Sequence, residues 1–446
     1  MVAAPAMFDL NETAKRVFLG TLRAIGPEAV INRKLRIDGD ILSFGINQIA
    51  LDRFKDIILI GMGKASLEMG SAVENMLGHR VKRGILVTDR RSSVKTRSEV
   101  VIGGHPLPDA NSIVAGQKIV ELIESCDERS LVVFLISGGG SALVELPVSE
   151  SLSLGDLRAT NQALVGCGAT IREINMIRKS LSRIKGGGLG RLVKTSGSTS
   201  VGLYISDVNP GDLRSIASNP LLPEEVTSAA SLAVIRRFNL VDKLPSSVLD
   251  VLQQHPVERG FIGRKDDGVL PLTMLLMDNS VAVQAAAEEA TGLGFRVEVD
   301  HELIEGEYRT IADQSIARLL KLKSSFPAQP VCVVSGGEVS CSVHHDGIGG
   351  RNQEFVLYSA AQLVDLGIRE GVAVLSCGSD GVDGNSNATG AVAGPDLVIK
   401  AAQHNIDASI FISGNDSHSF FKETGGLVVT GPSGSNVRDL RILMAQ

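Results

Sequence analysis

Short apolar runs that end in glycine-rich turns recur along this chain. Residues 57–60 are four branched apolar residues in succession, and residues 131–136 and 200–205 form two further runs of this kind. An uninterrupted apolar run of this length is typical of a strand buried on both faces of a parallel sheet. Amphipathic stretches separate the runs, and this alternation of strand and helix indicates an α/β fold.

The remaining elements follow from the same periodicity. Apolar residues at helical spacing predict helices over 9–26, 110–125 and 280–292, and over most of 153–185. Further apolar runs predict strands at 84–88, 100–102, 274–277, 295–299 and 372–376, and at the start of 331–343. Because strands and helices still alternate between residues 274 and 320, we expect the βαβ pattern to remain there.

A polar stretch at residues 240–270 interrupts this pattern. Pro245, Pro256 and Gly260 punctuate it, and proline and glycine in a polar stretch are typical of a boundary or an insertion. A chain of 446 residues is long enough for two domains. We therefore predict one domain over residues 1–245 and a second over residues 255–446.

The first glycine turn follows the run at 57–60 and reads IGMGKAS, with Gly61 and Gly63 in the turn. A strand, a glycine turn and a helix N-terminus form an anion site, because free backbone N–H groups and the positive end of the helix dipole meet there. Lys64 adds a full positive charge. The turn also resembles the dinucleotide fingerprint, with Asp89 near the position of a ribose-binding acid. Phosphate or carboxylate binding with Lys64 in the chemistry is our first interpretation, and nicotinamide dinucleotide binding is the second.

Two more glycine clusters are candidates for anion contact. The run at 131–136 ends in a loop whose backbone can wrap a polar group closely, made of Ser137, Gly138, Gly139, Gly140 and Ser141. Its spacing is neither that of the Walker A loop nor that of the Gly-x-Ser-x-Gly elbow. A basic segment ends at Lys185 before a glycine triplet that starts with Gly186 and Gly187. Either anion contact or a solvated charged face accounts for this segment.

Charged residues follow other predicted strands. Asp207 and Asp380 lie in loops after strands, where carboxylates are well placed to hold Mg²⁺. Arg351 follows two glycines at the start of a predicted helix and forms a second concentrated positive charge. His105 lies on a loop after a strand, where ligands often bind, but it has no nucleophile or ligand partner nearby in the sequence, so we favour a structural role over a ligand contact.

Composition limits the classes of function. The net charge of −6 disfavours nonspecific nucleic-acid binding. None of the five cysteines forms a C-x-x-C pair or a zinc pattern with histidine. The N-terminus lacks the pattern of a signal peptide, and no apolar stretch reaches the length of a membrane span. We expect a cytoplasmic protein with a small-molecule substrate and no nucleic-acid or membrane partner, whose assembly could be a homodimer.

Together, the glycine-rich loops, the cations and the carboxylates favour phosphoryl transfer as the reaction. Loop N–H groups bind phosphate oxygens, and cations such as Lys64 and Arg351 stabilise charge in the transition state. Carboxylates such as Asp207 and Asp380 hold Mg²⁺. A cleft between two α/β domains would assemble these groups and exclude water.

Nine short segments, in order along nearly the whole chain from about Phe8, resemble the glycerate 2-kinase family with its C-terminal MOFRL domain: IGMGKAS, GGHPLPD, SGGGSAL, INMIRKSLSRIKGGGL, SDVNPGD, SGGEVS, GGRNQEF, GSDGVDG and GPSGSNV. Ser433 and Ser435 stand where threonines are common in the family. The resemblance implies a Rossmann-like N-terminal domain and a smaller C-terminal α/β domain with the MOFRL region at about 330–440. It also implies an active site in the cleft between the two domains.

The resemblance further implies a reaction. The family phosphorylates D-glycerate at its 2-hydroxyl to give 2-phosphoglycerate, with ATP and Mg²⁺. When the motifs are matched to the family one by one, the resemblance implies that Lys64 and Arg351 are the catalytic cations. It also implies that the loop at 137–141 binds the nucleotide phosphates. Some members are labelled hydroxypyruvate reductase, an NAD(P)H-dependent activity that fits the dinucleotide interpretation. A non-catalytic sensor of a sugar phosphate is the third function to test.

Overall fold

The structure is a computed structural model that describes residues 8–208, 211–254, 258–259, 271–342 and 346–446. Asn209 and Pro210 of the loop after residue 205, and Pro256 and Gly260 of the predicted boundary, lie outside these residues. The described strands are, in chain order, β1 (Leu35–Asp38), β2 (Ile41–Phe44), β3 (Asn47–Ala50), β4 (Asp56–Met62), β5 (Val81–Thr88), β6 (Glu99–Ile102), β7 (Ser130–Ile136), β8 (Thr199–Ile205), β9 (Val226–Thr227), β10 (Glu258–Arg259), β11 (Leu272–Met277), β12 (Arg296–Glu307), β13 (Val331–Ser340), β14 (Val372–Gly378), β15 (Gly390–Ala393), β16 (Leu427–Val428) and β17 (Asp439–Ala445). The described α-helices are α1 (Leu10–Ala24), α2 (Pro27–Lys34), α3 (Ser66–Leu77), α4 (Ala110–Glu124), α5 (Gly140–Leu143), α6 (Leu154–Val165), α7 (Ile171–Ser180), α8 (Gly188–Ser196), α9 (Ser228–Arg237), α10 (Ser246–Gln254), α11 (Asn279–Gly292), α12 (Tyr308–Ser325), α13 (Arg351–Asp365), α14 (Pro395–Gln403), α15 (Ala408–Ser413) and α16 (Ser417–Thr424).

The described residues group into two compact units. Residues 30–276 form the parallel-sheet unit, and residues 8–29 with 277–446 form the mixed-sheet unit. These units differ from the predicted division at residues 245–255 in two respects. Helix α1 belongs to the mixed-sheet unit because its apolar face, including Val17 and Phe18, packs in one core with α11. Strand β11 belongs to the parallel-sheet unit because it joins that sheet beside β8.

The parallel-sheet unit is built on six strands in the order β11-β8-β7-β4-β5-β6. Strand β4 pairs in parallel with β5 and β7, β5 pairs in parallel with β6, and β7 pairs in parallel with β8. Counted from β4, the order is 3-2-1-4-5-6, which is the strand order of the Rossmann fold. The expected α/β architecture is therefore confirmed, with the predicted apolar runs as its central strands.

Helices hold this sheet and the residues around it in place. Ile119 and Ile123 of α4 pack with Ile58 of β4 and Phe134 of β7 in one core. A second core joins α6, α7, α9 and α10 around Ile177 and neighbouring apolar residues. Since α7 is anchored in this second core, its polar side chains have fixed positions. A three-stranded antiparallel sheet, β1-β2-β3, and a ribbon of β9 and β10 complete the described strands of this unit.

The mixed-sheet unit has six strands in the order β12-β13-β17-β14-β15-β16. Strands β12 and β13 are parallel, but the other neighbouring pairs are antiparallel. Strand β12, helix α12 and strand β13 thus form the expected βαβ unit, and the antiparallel pairs lie beyond it. The reason is β17, the fully buried C-terminal strand, which enters between β13 and β14 with the opposite direction. Helices α12 and α13 share one core with the sheet, and α1 and α11 share another.

Two expectations from composition concern the whole chain. Across the ranges that the structure describes, no helix combines the length and apolarity needed to span a membrane. All five cysteines lie in those ranges and are free thiols.

Candidate functional site

Two loops meet at the carboxyl edge of the parallel sheet, where the strand order reverses. Strands β4 and β7 are neighbours, but the chain continues from β4 to β5 on one side and from β7 to β8 on the other. Open α/β sheets bind ligands at such a switch point. Met62 at the end of β4 pairs in register with Ile136 at the end of β7. The turn after β4 and the loop after β7 therefore begin side by side.

Hydrogen bonds join these two loops. The N–H of Ala65 donates to Ser137 Oγ over 3.0 Å, and the N–H of Lys64 donates to the carbonyl of Gly138 over 2.9 Å. A Cβ atom at Gly63 would lie 2.2 Å from Ser137 Oγ, and Gly63 has a φ of 127°. Because no side chain fits there and L-residues rarely adopt this φ, the close approach of the loops requires glycine at position 63.

The backbone N–H groups of the first turn already have protein acceptors. Besides the two bonds above, the N–H of Gly63 donates to the carbonyl of Val87, and the N–H of Ser66 donates to the carbonyl of Gly63, both over 3.1 Å. The prediction of free N–H groups in this turn is therefore wrong, because β5 and the neighbouring loop use them. A Cβ at Gly61 would lie 2.6 Å from Leu86 Cδ2, so Gly61 permits close packing against β5. Nucleotide contact by these two glycines stays a prediction.

The second loop keeps free backbone donors. The N–H of Gly140 donates to the carbonyl of Ser137 over 3.4 Å, but no acceptor in the described part of the chain meets the N–H groups of Gly138, Gly139 and Ser141. Gly139 turns the backbone with a φ of 82°. Successive N–H groups in a left-handed turn form an anion-binding concavity. This geometry supports the prediction that the loop at 137–141 contacts phosphate.

A carboxylate lies against the second loop. A Cβ at Gly138 would lie 1.9 Å from Asp207 Oδ2, so Asp207, just beyond β8, reaches the same edge of the sheet. Mg²⁺ in phosphate sites takes one or two carboxylates together with phosphate oxygens and water, and Asp207 fits that donor set. Asp380 belongs to the mixed-sheet unit, where its Oδ1 accepts the N–H of Val382 over 3.2 Å. No group of three or more His, Cys, Asp or Glu side chains among the described residues is arranged to hold a metal ion, so both metal assignments stay predictions.

A small cavity opens beside the second loop, and we call it the loop cavity. It has a volume of about 140 Å³ and is lined by residues from distant parts of the sequence: His105, Pro106, Pro108, Gly139, Ser141, Ala142, Asn161, Arg178 and Lys185. A Cβ at Gly139 would lie 3.2 Å from both Lys64 Cγ and His105 Cδ2. The predicted cation Lys64 therefore lies beside the loop and next to His105.

His105 lines the loop cavity, although the sequence favoured a structural role for it. Burial lowers the pKa of its imidazole, and the positive charge of Lys64 lowers that pKa further. The ring thus favours the neutral form near pH 7, in which one nitrogen donates a hydrogen bond and the other accepts one. The sequence interpretation of His105 as structural considered only neighbours in the chain, and these partners come from two other loops.

Two basic side chains of the loop cavity have different surroundings. Lys185 is buried and forms an ion pair with Glu145, which is also buried. Burial lowers the pKa of Lys185, and the charge of Glu145 opposes this shift. Arg178 instead bonds neutral amides, with Nε donating to Asn161 Oδ1 over 2.7 Å and Nη1 donating to Asn175 Oδ1 over 3.5 Å. Lys185 thus has a carboxylate as its direct partner, whereas the hydrogen bonds of Arg178 go to neutral amides, and Glu145 acts on it only through its charge.

The glycine triplet after Lys185 has a structural role. The N–H groups of Gly186 and Gly187 donate to the carbonyls of Ser218 and Asn219 over 3.0 and 2.7 Å. These two carbonyls belong to a left-handed segment, in which residues 217–219 have φ angles of 49°, 57° and 55° although none of them is glycine. The two hydrogen bonds hold this segment in place. Ser218 in turn shares a hydrogen bond of 2.7 Å with the hydroxyl of Ser141. The expected anion contact through these two N–H groups is not available, since the protein itself accepts both.

Arg351 begins α13 in the mixed-sheet unit and is already paired. Its Nε and Nη2 donate to Asp439 over 2.6 and 2.9 Å, and its Nη1 lies 2.9 Å from Glu338 Oε1. Burial alone would lower the pKa of this guanidinium, but the hydrogen bonds and negative charge of Asp439 raise it well above its usual value. Arg351 is a permanent cation that would bind a ligand in addition to Asp439, or in exchange for the half-exposed Glu338.

The N-terminus of α13 is also occupied. The buried carboxylate of Asp383 accepts the N–H groups of Asn352 and Gln353 over 3.1 and 2.9 Å, and it accepts the amide side chains of both residues as well. Arg351 lines a separate cavity of about 560 Å³ within the mixed-sheet unit, together with Glu338 and other residues. Lys64 belongs to the other unit, and the joint action of the two cations stays a prediction.

Comparison with known proteins identifies the relatives of this chain. A family described as "Domain of unknown function (DUF4147)" matches residues 13–253, and the MOFRL family matches residues 331–439. The chain is 32% identical to a D-glycerate 2-kinase from Thermotoga maritima, over 98% of this chain and 99% of that protein. It is 38% identical to a putative hydroxypyruvate reductase from Agrobacterium vitis, over 87% of this chain and 86% of that protein. The crystal structure of a glycerate kinase from Thermotoga maritima superimposes with a TM-score of 0.83 at 30% identity, covering 98% of this chain and 99% of its own.

Proposed function

The chain belongs to the glycerate 2-kinase family, and from this premise we propose that it transfers the γ-phosphoryl group of ATP to the 2-hydroxyl of D-glycerate. The products are ADP and 2-phosphoglycerate. The observation that carries the proposal is the second loop at the switch point, which has three N–H groups without acceptors in the described part of the chain and has Lys64 beside it. Phosphoryl transfer is catalysed mainly by positioning and by such electrostatic stabilisation.

The proposed roles follow the surroundings of each residue. The free N–H groups of Gly138, Gly139 and Ser141 bind phosphate oxygens, and Lys64 neutralises the phosphoryl group as it moves. Ser137 and Gly63 hold the two loops in contact, and the nucleotide contact predicted for both residues is part of the proposal. Arg351 is the second proposed cation, held rigid by its two bonds to Asp439.

Asp207 is the proposed residue for holding Mg²⁺, because its carboxylate lies against Gly138 of the phosphate loop. Mg²⁺, when bound, would neutralise charge on the phosphate oxygens. Asp380 is the weaker candidate, since one of its carboxylate oxygens already accepts a backbone N–H in its own loop.

The alternative activity is NAD(P)H-dependent reduction of hydroxypyruvate, the reaction for which the Agrobacterium vitis relative is named. For this activity, the turn at Gly61–Ser66 would have to bind the pyrophosphate of the nicotinamide cofactor through free N–H groups. The N–H groups from Gly63 to Ser66 all have protein acceptors, and this occupancy favours the kinase.

A pair of coupled assays separates these activities. With Mg·ATP and D-glycerate, we expect ADP release that depends on glycerate. With hydroxypyruvate and NADH or NADPH, we expect no oxidation of the nicotinamide above the rate without enzyme. Oxidation of NADH or NADPH without any glycerate-dependent ADP release would overturn the proposed function, and binding without either reaction would indicate a sensor.

A further inference from the structure

The loop cavity has an unusual distribution of charge for a protein with a net charge of −6. Its two basic lining residues are Arg178 and Lys185, and Lys64 lies just beyond Gly139. Glu145 is buried and paired with Lys185, and its charge also acts on Arg178. Among the described residues that line the cavity, two are basic and none is acidic, so the cavity favours an anionic ligand.

Arg178 offers this ligand a free edge. A guanidinium carries five N–H donors, and two of them are donated to Asn161 and Asn175. No hydrogen-bond acceptor among the described residues meets the Nη2 donors of Arg178. Asn161 is itself fixed, because its Nδ2 donates to the carbonyl of Leu157 over 3.0 Å. The guanidinium is therefore held in place with its Nη2 donors available to a carboxylate, as a charge-assisted hydrogen bond requires.

The size of the loop cavity limits what can enter it. A volume of about 140 Å³ has room for roughly five water molecules at about 30 Å³ each. Pockets for drug-sized ligands have volumes of roughly 300–1,000 Å³, so a nucleoside triphosphate does not fit. A three-carbon hydroxy acid does fit, with polar groups of Ser141 and His105 available to its hydroxyls.

We infer that the loop cavity is the subsite for the acceptor acid, in which Arg178 binds the substrate carboxylate. This inference rests on the proposed function. It assigns Lys185, which the sequence analysis placed with the nucleotide, to the wall of the acceptor site, where it is neutralised by Glu145. The nucleotide phosphates then contact the N–H groups of the second loop, whose Gly139 and Ser141 also line the cavity, so that the two substrates meet at this loop.

The test is a comparison of direct binding to the whole protein. Titration calorimetry would measure the Kd of D-glycerate and of a non-hydrolysable ATP analogue with Mg²⁺, for the wild type and for Arg178→Lys. The lysine variant keeps the positive charge but loses the guanidinium and its N–H donors. Losing a hydrogen bond to a charged group costs about 1.5–3 kcal/mol of binding free energy. We expect the Kd of D-glycerate to rise about 10- to 100-fold, with the Kd of the ATP analogue unchanged within about twofold. Arg172→Lys, at an exposed position of the same helix, is the matched control and should change neither value.

The results separate this inference from the proposed function. Weaker binding of the ATP analogue with unchanged binding of D-glycerate would overturn the inference, as would no change in either. Retained binding of the analogue also shows that the variant is folded, and if it is lost, Arg178→Gln provides a second variant of similar length. Glycerate binding that depends on Arg178 but gives no ADP in the coupled assay would support the subsite and overturn the kinase.

Discussion

The hydroxyl oxygen of Ser137 accepts a hydrogen bond from the backbone N–H of Ala65 over 3.0 Å, although the two residues are 72 positions apart in the chain. This bond ties the loop after β7 to the start of α3. It uses a donor that the first glycine turn would otherwise offer to a ligand. In the loop at 137–141, by contrast, three N–H groups meet no acceptor in the described part of the chain.

The first prediction tests the contact between these loops. Gly63→Ala would place a Cβ atom 2.2 Å from Ser137 Oγ at a φ of 127°, so we expect a loss of stability of at least about 2 kcal/mol. Urea unfolding would measure it. Gly45→Ala is the matched control, because Gly45 also has a positive φ of 57° but no atom within 4 Å of the new Cβ. Equal losses in the two variants would show that backbone strain, and not the loop contact, sets the requirement for glycine.

The second prediction concerns Lys64. Its side chain lies beside Gly139 of the phosphate loop, and losing one electrostatic contact to the transition state typically costs a hundredfold in rate. We expect Lys64→Ala to lower kcat by about a hundredfold or more in the ADP-release assay. Lys82→Ala, at an exposed position on β5, should leave kcat unchanged. A Lys64→Ala variant with near-normal turnover would refute the catalytic role.

The third prediction separates structure from catalysis at Arg351. Asp439 is 0% exposed, so Arg351→Ala leaves a buried carboxylate without its bidentate partner, and we expect a loss of about 3–5 kcal/mol in stability. Adding Asp439→Asn removes that charge and should restore most of the stability but not the activity. Urea unfolding and kcat measured on the single and double variants would check both. Recovery of turnover in the double variant would mean that Arg351 serves only the fold.

The fourth prediction is a dependence of stability on pH. Burial raises the pKa of Glu354 to about 7 from its usual 4.5, although hydrogen bonds from Ser417 act in the opposite direction. Between these values the folded protein holds a proton that the unfolded chain has lost, so this residue lowers stability as the pH rises from about 4.5 to about 7. We expect Glu354→Gln to match the wild type near pH 4 and to exceed it by about 3 kcal/mol at pH 8. A stability difference that does not change with pH would contradict this assignment.

Much of the fold was predictable from local pattern. The apolar runs of β4, β7 and β8 and the glycine turns that follow them were identified from the sequence, because a buried parallel strand needs apolar residues on both faces. The direction of a strand within a sheet has no comparable pattern in the sequence. The apolar run of β17 therefore gave no sign that it would lie antiparallel between β13 and β14.

The site was less predictable, because its properties depend on contacts between distant segments. The sequence indicated Lys64 and the loop at 137–141, but it could not show that the donors of the first turn are used by Val87 and Ser137. Arg178 belongs to the basic segment before the glycine triplet, for which the sequence left both anion contact and a solvated face open; its place at the loop cavity depends on bonds to the distant Asn161 and to Asn175.

Product analysis by phosphorus NMR tests the central claim most directly. After incubation of the wild-type protein with Mg·ATP and D-glycerate, the account predicts the resonances of ADP and of 2-phosphoglycerate in equal amounts. ATP that remains intact, or ADP that forms with inorganic phosphate and no phosphoglycerate, would contradict it.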